Sequence, residues 1–247
     1  MSLSIEKDFF VSAKKAVKAI SQDAPKLELV GVAPDWLVMT HLQDPWLNLG
    51  FTGSEGGLQK LHEELLTRQL PGFVYGPSSM TQNEHLGFST LQIRQLDDSV
   101  RQDTKLPVDV LIEKATTLPQ IGVSNLIQHQ AFGTDIDDLN QIVNVGVLRD
   151  KTVGIYTLVH EGRPTSTVTL ISGRMANKPD VQVWSMATLP EFQGQGFGTT
   201  LLERVLSDSA ENGYQSASLL ASPEGKHLYD RLDFVTISQN PLNQIGI

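Results

Sequence analysis

The chain contains no cysteine. That excludes disulfides, thiolate metal sites and a cysteine nucleophile, and it leaves the redox compartment open. Aromatics are sparse, at 6% of 247 residues. No apolar run approaches the ~20 residues that a membrane-spanning helix needs. The opening segment, MSLSIEKDFFVSAKKAVKAI, mixes charged and apolar groups at helical spacing and holds no apolar signal core. None of the six histidines stands at metal-ligand spacing, and His62-Glu63-Glu64 lacks the second histidine of a zinc-binding helix. Positive charge is also scarce, with 19 Lys and Arg against 28 Asp and Glu and a net charge of −9. Nucleic acids and anionic membranes want the reverse, whereas a small amine or basic peptide suits an acidic surface. The expectation is a soluble, cytoplasmic protein with no metal, no nucleic-acid partner and no membrane partner.

The apolar content, 40% with 19% charged residues, is ample for a core. The length fits one large domain or two ordinary ones. The most informative stretch is Val183 to Leu202, VWSMATLPEFQGQGFGTTLL. Its apolar start reads as a buried strand, which Pro190 should end because proline cannot donate to a ladder. Gln193-Gly194-Gln195-Gly196-Phe197-Gly198 follows, and then the helical spacing of Leu201, Leu202, Val205 and Leu206. A strand, a glycine turn and a helix start gather unpaired N–H groups at the positive end of a helix dipole. Glycines there remove the Cβ atoms that would hold an anion away. The pattern is that of a phosphate site.

Gln193-x-x-Gly196-x-Gly198 resembles the Gln/Arg-x-x-Gly-x-Gly/Ala signature of the GCN5-related N-acetyltransferases. Leu219 to Phe234, LLASPEGKHLYDRLDF, is similar to that family's later motif, a strand leading to a short tyrosine-bearing helix and a Leu-Gly-Phe turn. Asp233 stands where glycine is usual, and Asp tolerates a left-handed backbone better than most residues. The resemblance implies the α/β acyl-CoA N-acyltransferase fold, a mixed central sheet flanked by helices. It implies acetyl-CoA as co-substrate and a primary amine, on a small molecule or peptide, as acceptor through a tetrahedral intermediate. It covers residues 108 to 240 well.

The same resemblance assigns roles. Met186, Ala187 and Thr188 would hold the pantetheine arm through their backbone, with a core role for the Met186 side chain equally open. Gln193, Gly194, Gln195, Gly196, Phe197, Gly198 and Thr199 would form the pyrophosphate loop. Tyr229 would act as general acid toward the leaving sulfur, a half-buried core tyrosine being the plainer reading. Ser222 stands where relatives place a residue near the cofactor arm, although a cap for the helix after Pro223 explains it better. No carboxylate offers itself as general base: the central strand has Ser185, and Glu191 reads as a solvated loop residue. His160 and His227 read as surface or turn residues. A dinucleotide-binding loop would need G-x-G-x-x-G and an acid about 20 residues on, where Tyr214 stands. Gly225-Lys226 lacks the remaining parts of a P-loop. An acyl-CoA-binding module without turnover is the alternative to an enzyme.

Upstream, helical spacing predicts Ile5–Ile20, and apolar runs predict strands at Leu27–Gly31, Trp36–Thr40, Phe73–Tyr75 and Phe88–Leu96. A helix is expected around Leu58 to Leu66, and a turn with a short helix from Pro77 to Gly87. Trp46, a glycine loop, a helix, the Phe73 strand, Pro77 and Leu86-Gly87-Phe88 echo Trp184, glycine loop, helix, Leu219 strand, Pro223 and Leu232-Asp233-Phe234. The first copy lacks the signature and has Asn83 at the place of Tyr229. Gly53, Gly56 and Gly57 then read best as a flexible turn. The domain expectation is a degenerate copy over 1–105 and a working acetyltransferase domain over 106–247, joined near Ser99 to Lys105. Within the second, a strand from Val108 to Ala115 is followed by helices over Leu118–Phe132 and Asp135–Val147. Strands at Thr152–Val159 and Pro164–Ser172 form a hairpin, and Gly173 to Asp180 reads as a loop.

Overall fold

A computed structural model describes residues 2–32, 34–77, 87–100 and 106–245, and among these described residues the chain forms seven α-helices and a single eleven-stranded sheet. The first half holds α1 (Ser2–Ile20), β1 (Glu28–Val32), β2 (Asp35–Met39), β3 (Asn48–Phe51), α2 (Glu55–Thr67), β4 (Gly72–Tyr75) and β5 (Gly87–Gln95). The second holds β6 (Val110–Lys114), α3 (Leu118–Phe132), α4 (Ile136–Ile142), α5 (Val145–Arg149), β7 (Val153–His160) and β8 (Arg163–Met175). It continues with β9 (Lys178–Thr188), α6 (Phe197–Glu211), β10 (Ser216–Ala221), α7 (Lys226–Asp230) and β11 (Val235–Ile245). The turn expected over Pro77–Gly87, with Asn83, falls largely outside the described residues.

The strand order is β1-β2-β3-β4-β11-β5-β10-β9-β8-β7-β6. Read outward from the antiparallel β11–β5 seam, it is nearly a palindrome. On each side comes a strand, then its parallel partner, then antiparallel neighbours. The two parallel pairs, β3–β4 and β9–β10, are those bridged by a helix, because parallel neighbours need a long crossover. Each half also gives its final strand to the other. β11 pairs with β4, and β5 pairs with β10. Residues 1–105 and 106–247 thus interleave at the middle of one sheet.

Burial follows the pleat. Val181 and Val183 face α6, whose Leu201, Leu202, Val205 and Leu206 are buried against Leu219 and Phe234. Trp184 faces the other way, toward the cluster of Phe9, Phe10, Trp36 and Phe51 under α1. Small residues let α1 lie close to the sheet: a Cβ at Gly173 would sit 2.4 Å from Ser12 Oγ.

Two expectations need correction. The helix expected over Asp135–Val147 is two helices. Asp135 caps α4, accepting from the N–H groups of Asp137 and Asp138, but the chain turns at Val143 and Asn144 caps a second start at Gly146. The Val143 carbonyl instead accepts from Asn125 Nδ2 at 3.0 Å. The loop expected over Gly173–Asp180 is a tight hairpin, in which Met175 pairs with Lys178 across Ala176 and Asn177, both left-handed at φ 48° and 63°. An alanine there costs about 1–2 kcal/mol. Asp8 offsets the cost by accepting from the Ala176 N–H at 3.0 Å, and Arg174 donates to the Asn177 carbonyl. The β7–β8 hairpin is of the expected kind, with Glu161 and Gly162 both at positive φ.

Candidate active site

The site begins where two strands part. β9 and β10 pair only through Asp180–Ser216, Val181–Ala217 and Gln182–Ser218, although β9 continues to Thr188 and β10 to Ala221. Beyond Gln182 the two strands form a fork. β9 stays paired with β8 on its outer side as far as Thr188, and β10 with β5 as far as Ala221. Backbone donors and acceptors on the two inner edges therefore face the gap. A bulge accompanies the parting: Ser185 and Met186 oppose Val168 alone, and Ser185 is left-handed at φ 49°. A bulge bends a strand and increases its twist, which re-aims the residues after it. Those residues are Met186, Ala187 and Thr188.

The fork's apex is stapled by a buried carboxylate. Asp180, fully buried, accepts hydrogen bonds from Ser216 and from Ser218, the latter at 2.6 Å. Burial raises its pKa to about 7, against the opposing pull of the two hydroxyls.

At the mouth of the fork lies the glycine loop. Pro190 opens a short 3₁₀ turn, Gly194 and Gly196 are left-handed at φ 73° and 88°, and α6 starts at Phe197 with no side-chain cap. The N–H groups from Gly194 to Thr199 find no acceptor among the described residues. A Cβ at Gly194 or Gly196 would meet nothing within 4 Å, so the space above these donors is open. Gln193 and Gln195 brace the loop through the carbonyls of Thr188 and Glu191, at 3.1 and 2.9 Å. Gly198 serves a different purpose. A Cβ there would lie 3.1 Å from Met186 Cε and Thr188 Oγ1, and 3.4 Å from Leu228 Cδ1, so its absence lets α6 approach β9 and α7. The Met186 side chain thus packs into the core beside α6.

Tyr229 lies on α7, at the end of β10. Its ring meets Phe234 edge-on at 5.7 Å, and its hydroxyl has no partner among the described residues. Burial raises its pKa well above that of an ordinary phenol. Ser222 Oγ accepts from the Gly225 N–H at 3.1 Å and closes the turn before α7, whose N-cap is Gly225 without a side-chain cap, so Ser222 does not cap the helix itself.

Arg163 was missed in the sequence. It follows the β7–β8 hairpin, stacks its guanidinium 4.8 Å over Phe192 and approaches Glu191 at 3.7 Å, placing a cation beside the loop. His160 packs on Phe197 at 4.8 Å. Neither residue neighbours the loop in sequence, so only the folded hairpin reveals them.

The glycine loop of the first half is closed. β3 and β4 stay paired through Phe51–Tyr75, and the Thr52 N–H reaches the Tyr75 carbonyl at 2.8 Å. Ser54 caps α2 by accepting from Gly57, and Asp35 Oδ1 accepts from the Gly53 N–H at 2.9 Å and from Thr52 Oγ1 at 2.7 Å. A Cβ at Gly57 would lie 2.2 Å from that carboxylate. The flexible turn expected at Gly53, Gly56 and Gly57 is instead a tied start to α2, with Gly53 held by Asp35 and Gly56 and Gly57 inside the helix.

A groove of about 740 Å³ opens between Gln43–Trp46 and Phe132–Asp138. Trp46 and Phe132 are half exposed along it, with Asp44, Asp135, Asp137 and Asp138. Burial, followed by repulsion from Asp135, Asp44 and Asp137, raises the Asp138 pKa. β10 and β11 both run against β5, β4 runs against β11, and β3 runs with β4. The start of β3, beside Trp46, is therefore at the end of the sheet toward which the fork opens.

Residues 142–236, within the second half of the chain, match the family model of the acetyltransferase (GNAT) domain. Solved structures extend the likeness to the whole fold. A GCN5-related N-acetyltransferase from Kribbella flavida shares 15% identity at a TM-score of 0.62, covering 93% of this chain and 94% of its own. One from Sphaerobacter thermophilus shares 15% at 0.58, over 98% and 93%. A putative acetyltransferase of the GNAT family from Novosphingobium aromaticivorans shares 13% at 0.58, over 100% and 98%. No curated protein matches the chain significantly. Among the described residues no helix is long and apolar enough to cross a membrane, and no cluster of His, Asp and Glu could hold a metal ion.

Proposed function

We propose that the protein is an N-acetyltransferase that moves an acetyl group from acetyl-CoA to a primary amine. One observation carries the reading: the uncapped start of α6, with Gly194 and Gly196 holding free N–H groups, lies at the mouth of the β9–β10 fork. Phosphates suit the first feature, since N–H groups and the helix dipole both favour an anion. An extended amide-bearing arm suits the second, because it can add as a strand along the unpaired edge of Met186, Ala187 and Thr188. In this reading Gln193 to Thr199 cradle the pyrophosphate, and Ser222 lies beside the arm.

The amine nitrogen attacks the thioester carbonyl, a C–N bond forms, and the C–S bond breaks as the tetrahedral intermediate collapses. The amine's surplus proton goes to solvent. Tyr229 meets the departing thiolate as a hydrogen-bond donor. A phenol holds its proton more tightly than a thiol of pKa about 8.5, so full transfer from Tyr229 runs uphill, and the thiolate takes its proton from water. Asp180 is closed off by Ser216 and Ser218, and is no base for the acceptor. The carboxylates around Trp46 and Phe132 favour a cation at this end of the sheet, which fits an amine. The reading also takes 1–105 as a worn copy of 106–247, supported by the near-palindromic strand order.

The test is release of free thiol from acetyl-CoA across a panel of small amines and peptides. Amine-dependent release supports the enzyme. Tight binding of acetyl-CoA with no release on any amine supports a non-catalytic binding module instead.

A further inference from the structure

Helix α7 is one turn long, and a single helical turn does not hold itself together in water. Its own contacts are local. Ser222 caps the preceding turn, Lys226 pairs with Asp230 at 2.6 Å, and Leu228 enters the cluster beneath α6. One polar tie comes from far away in sequence. Gln92, fully buried on β5, donates from Nε2 to Asp230 Oδ1 at 2.7 Å across 138 residues of chain. Gln92 pairs with Leu219 on one side and Thr236 on the other, and its flanking residues Leu91 and Ile93 are apolar and buried. Its Oε1 has no partner among the described residues, so burying the side chain carries a cost that an aliphatic residue would avoid. A second tie from the same strand, Arg94 to Asp233 at 3.9 Å, is weaker and solvent-exposed.

We infer that Gln92 is a positioning residue: the first half of the chain, through the strand it inserts beside β10, holds α7 and with it Tyr229 at the fork. The inference rests on the role given to Tyr229 above. The first half then serves the site without holding a cofactor of its own. Removing it would not merely expose an edge of the sheet. It would free the helix that carries the donor.

The test uses the full chain and the Gln92→Leu variant, read first by hydrogen exchange without any ligand. Losing a hydrogen bond to a charged group is expected to speed exchange in Lys226–Asp230 about tenfold or more, with α6 unchanged. Turnover should fall by a similar factor while KM for acetyl-CoA and its thermal shift stay put. Added to Tyr229→Phe, Gln92→Leu should cost nothing further, because both losses pass through one hydroxyl. Unchanged exchange at α7, or losses that multiply, would overturn the inference. Should Gln92→Leu fail to fold, the exposed partner gives the same information. Asp230→Ala should loosen α7 and Lys226→Ala should do so far less, and equal effects would count against Gln92. If Tyr229→Phe turns over at the parent rate, the donor role is wrong, and exchange at α7 alone then decides for or against Gln92.

Discussion

Asp35 accepts a 2.9 Å hydrogen bond from the backbone N–H of Gly53, so the first half's glycine loop carries a carboxylate where the second half's loop is open. The same oxygen takes the Thr52 hydroxyl, and β3 and β4 never part above it. One acetyl-CoA per chain is the expected stoichiometry by calorimetry, and two equivalent sites would contradict it. Asp35→Ala should destabilise the fold by about 1 kcal/mol, the net worth of the bonds removed, because water reaches the exposed Gly53 N–H and Thr52 Oγ1 keeps the Ser54 carbonyl at 2.9 Å.

Gly196→Asp tests the loop. Millimolar acetyl-CoA should raise the melting temperature, since ligand at a hundredfold excess over Kd adds about 2.7 kcal/mol to the native state. Gly196 sits at φ 88°, so any side chain there costs about 1–2 kcal/mol of backbone strain. Gly196→Ala carries that strain alone, and the additional loss of ligand shift in Gly196→Asp reports charge in the phosphate cradle. A parent protein whose melt acetyl-CoA leaves unmoved would remove the basis for the proposed activity.

Tyr229→Phe should lower turnover by on the order of 10²-fold, the cost of losing one hydrogen-bond donor to developing negative charge, with cofactor affinity nearly intact. Burial raises the Tyr229 pKa, so the parent enzyme should lose no activity to phenol ionisation as pH climbs toward ~10, where an ordinary tyrosine begins to ionise. An alkaline limb well below that point, removed by Tyr229→Phe, would contradict the assignment.

Asp180 predicts a pH slope in stability. Its pKa rises from 3.8 to about 7 on folding, so between those values the folded state holds a proton that the unfolded state has released. Its favourable contribution is complete below the unfolded value and is lost as pH rises through the folded one. Asp180→Asn cannot ionise. Relative to the parent, the variant should gain stability steadily from pH 4 to pH 7 and level off above. Chemical denaturation at four or five pH values would show this, and parallel pH curves would refute it.

Much of the second half was legible because its signals are local. Pro190 and the glycines bound α6, and helix α3 runs over Leu118–Phe132 as its apolar spacing and the left-handed Gly133 require. The Ala176–Asn177 hairpin was not legible, because alanine is no turn signal and the contact that holds it comes from Asp8. Nor was the break at Val143, which answers to Asn125 on another helix. The site divides the same way. Its glycine loop is written in consecutive residues, whereas the fork depends on how far β10 accompanies β9, Arg163 is brought to the loop by the β7–β8 hairpin, and Gln92 reaches its place through pairing with distant strands. The echo between halves suggested a repeat but gave no hint that the final strands trade places.

That trade has a consequence for how the molecule is made. β4 and β5 are never neighbours, and the slot between them is filled by β11, whose Asn240 bonds the Gly76 carbonyl from 164 residues away. While the ribosome is still producing the second half, the first can complete neither edge, and two rows of unpaired backbone groups wait in the open. Such late, distant closure is slow, and it invites wrong partners. A chain cut short before Val235 would thus lack the keystone of the entire sheet, and should accumulate as aggregate rather than as a smaller working enzyme.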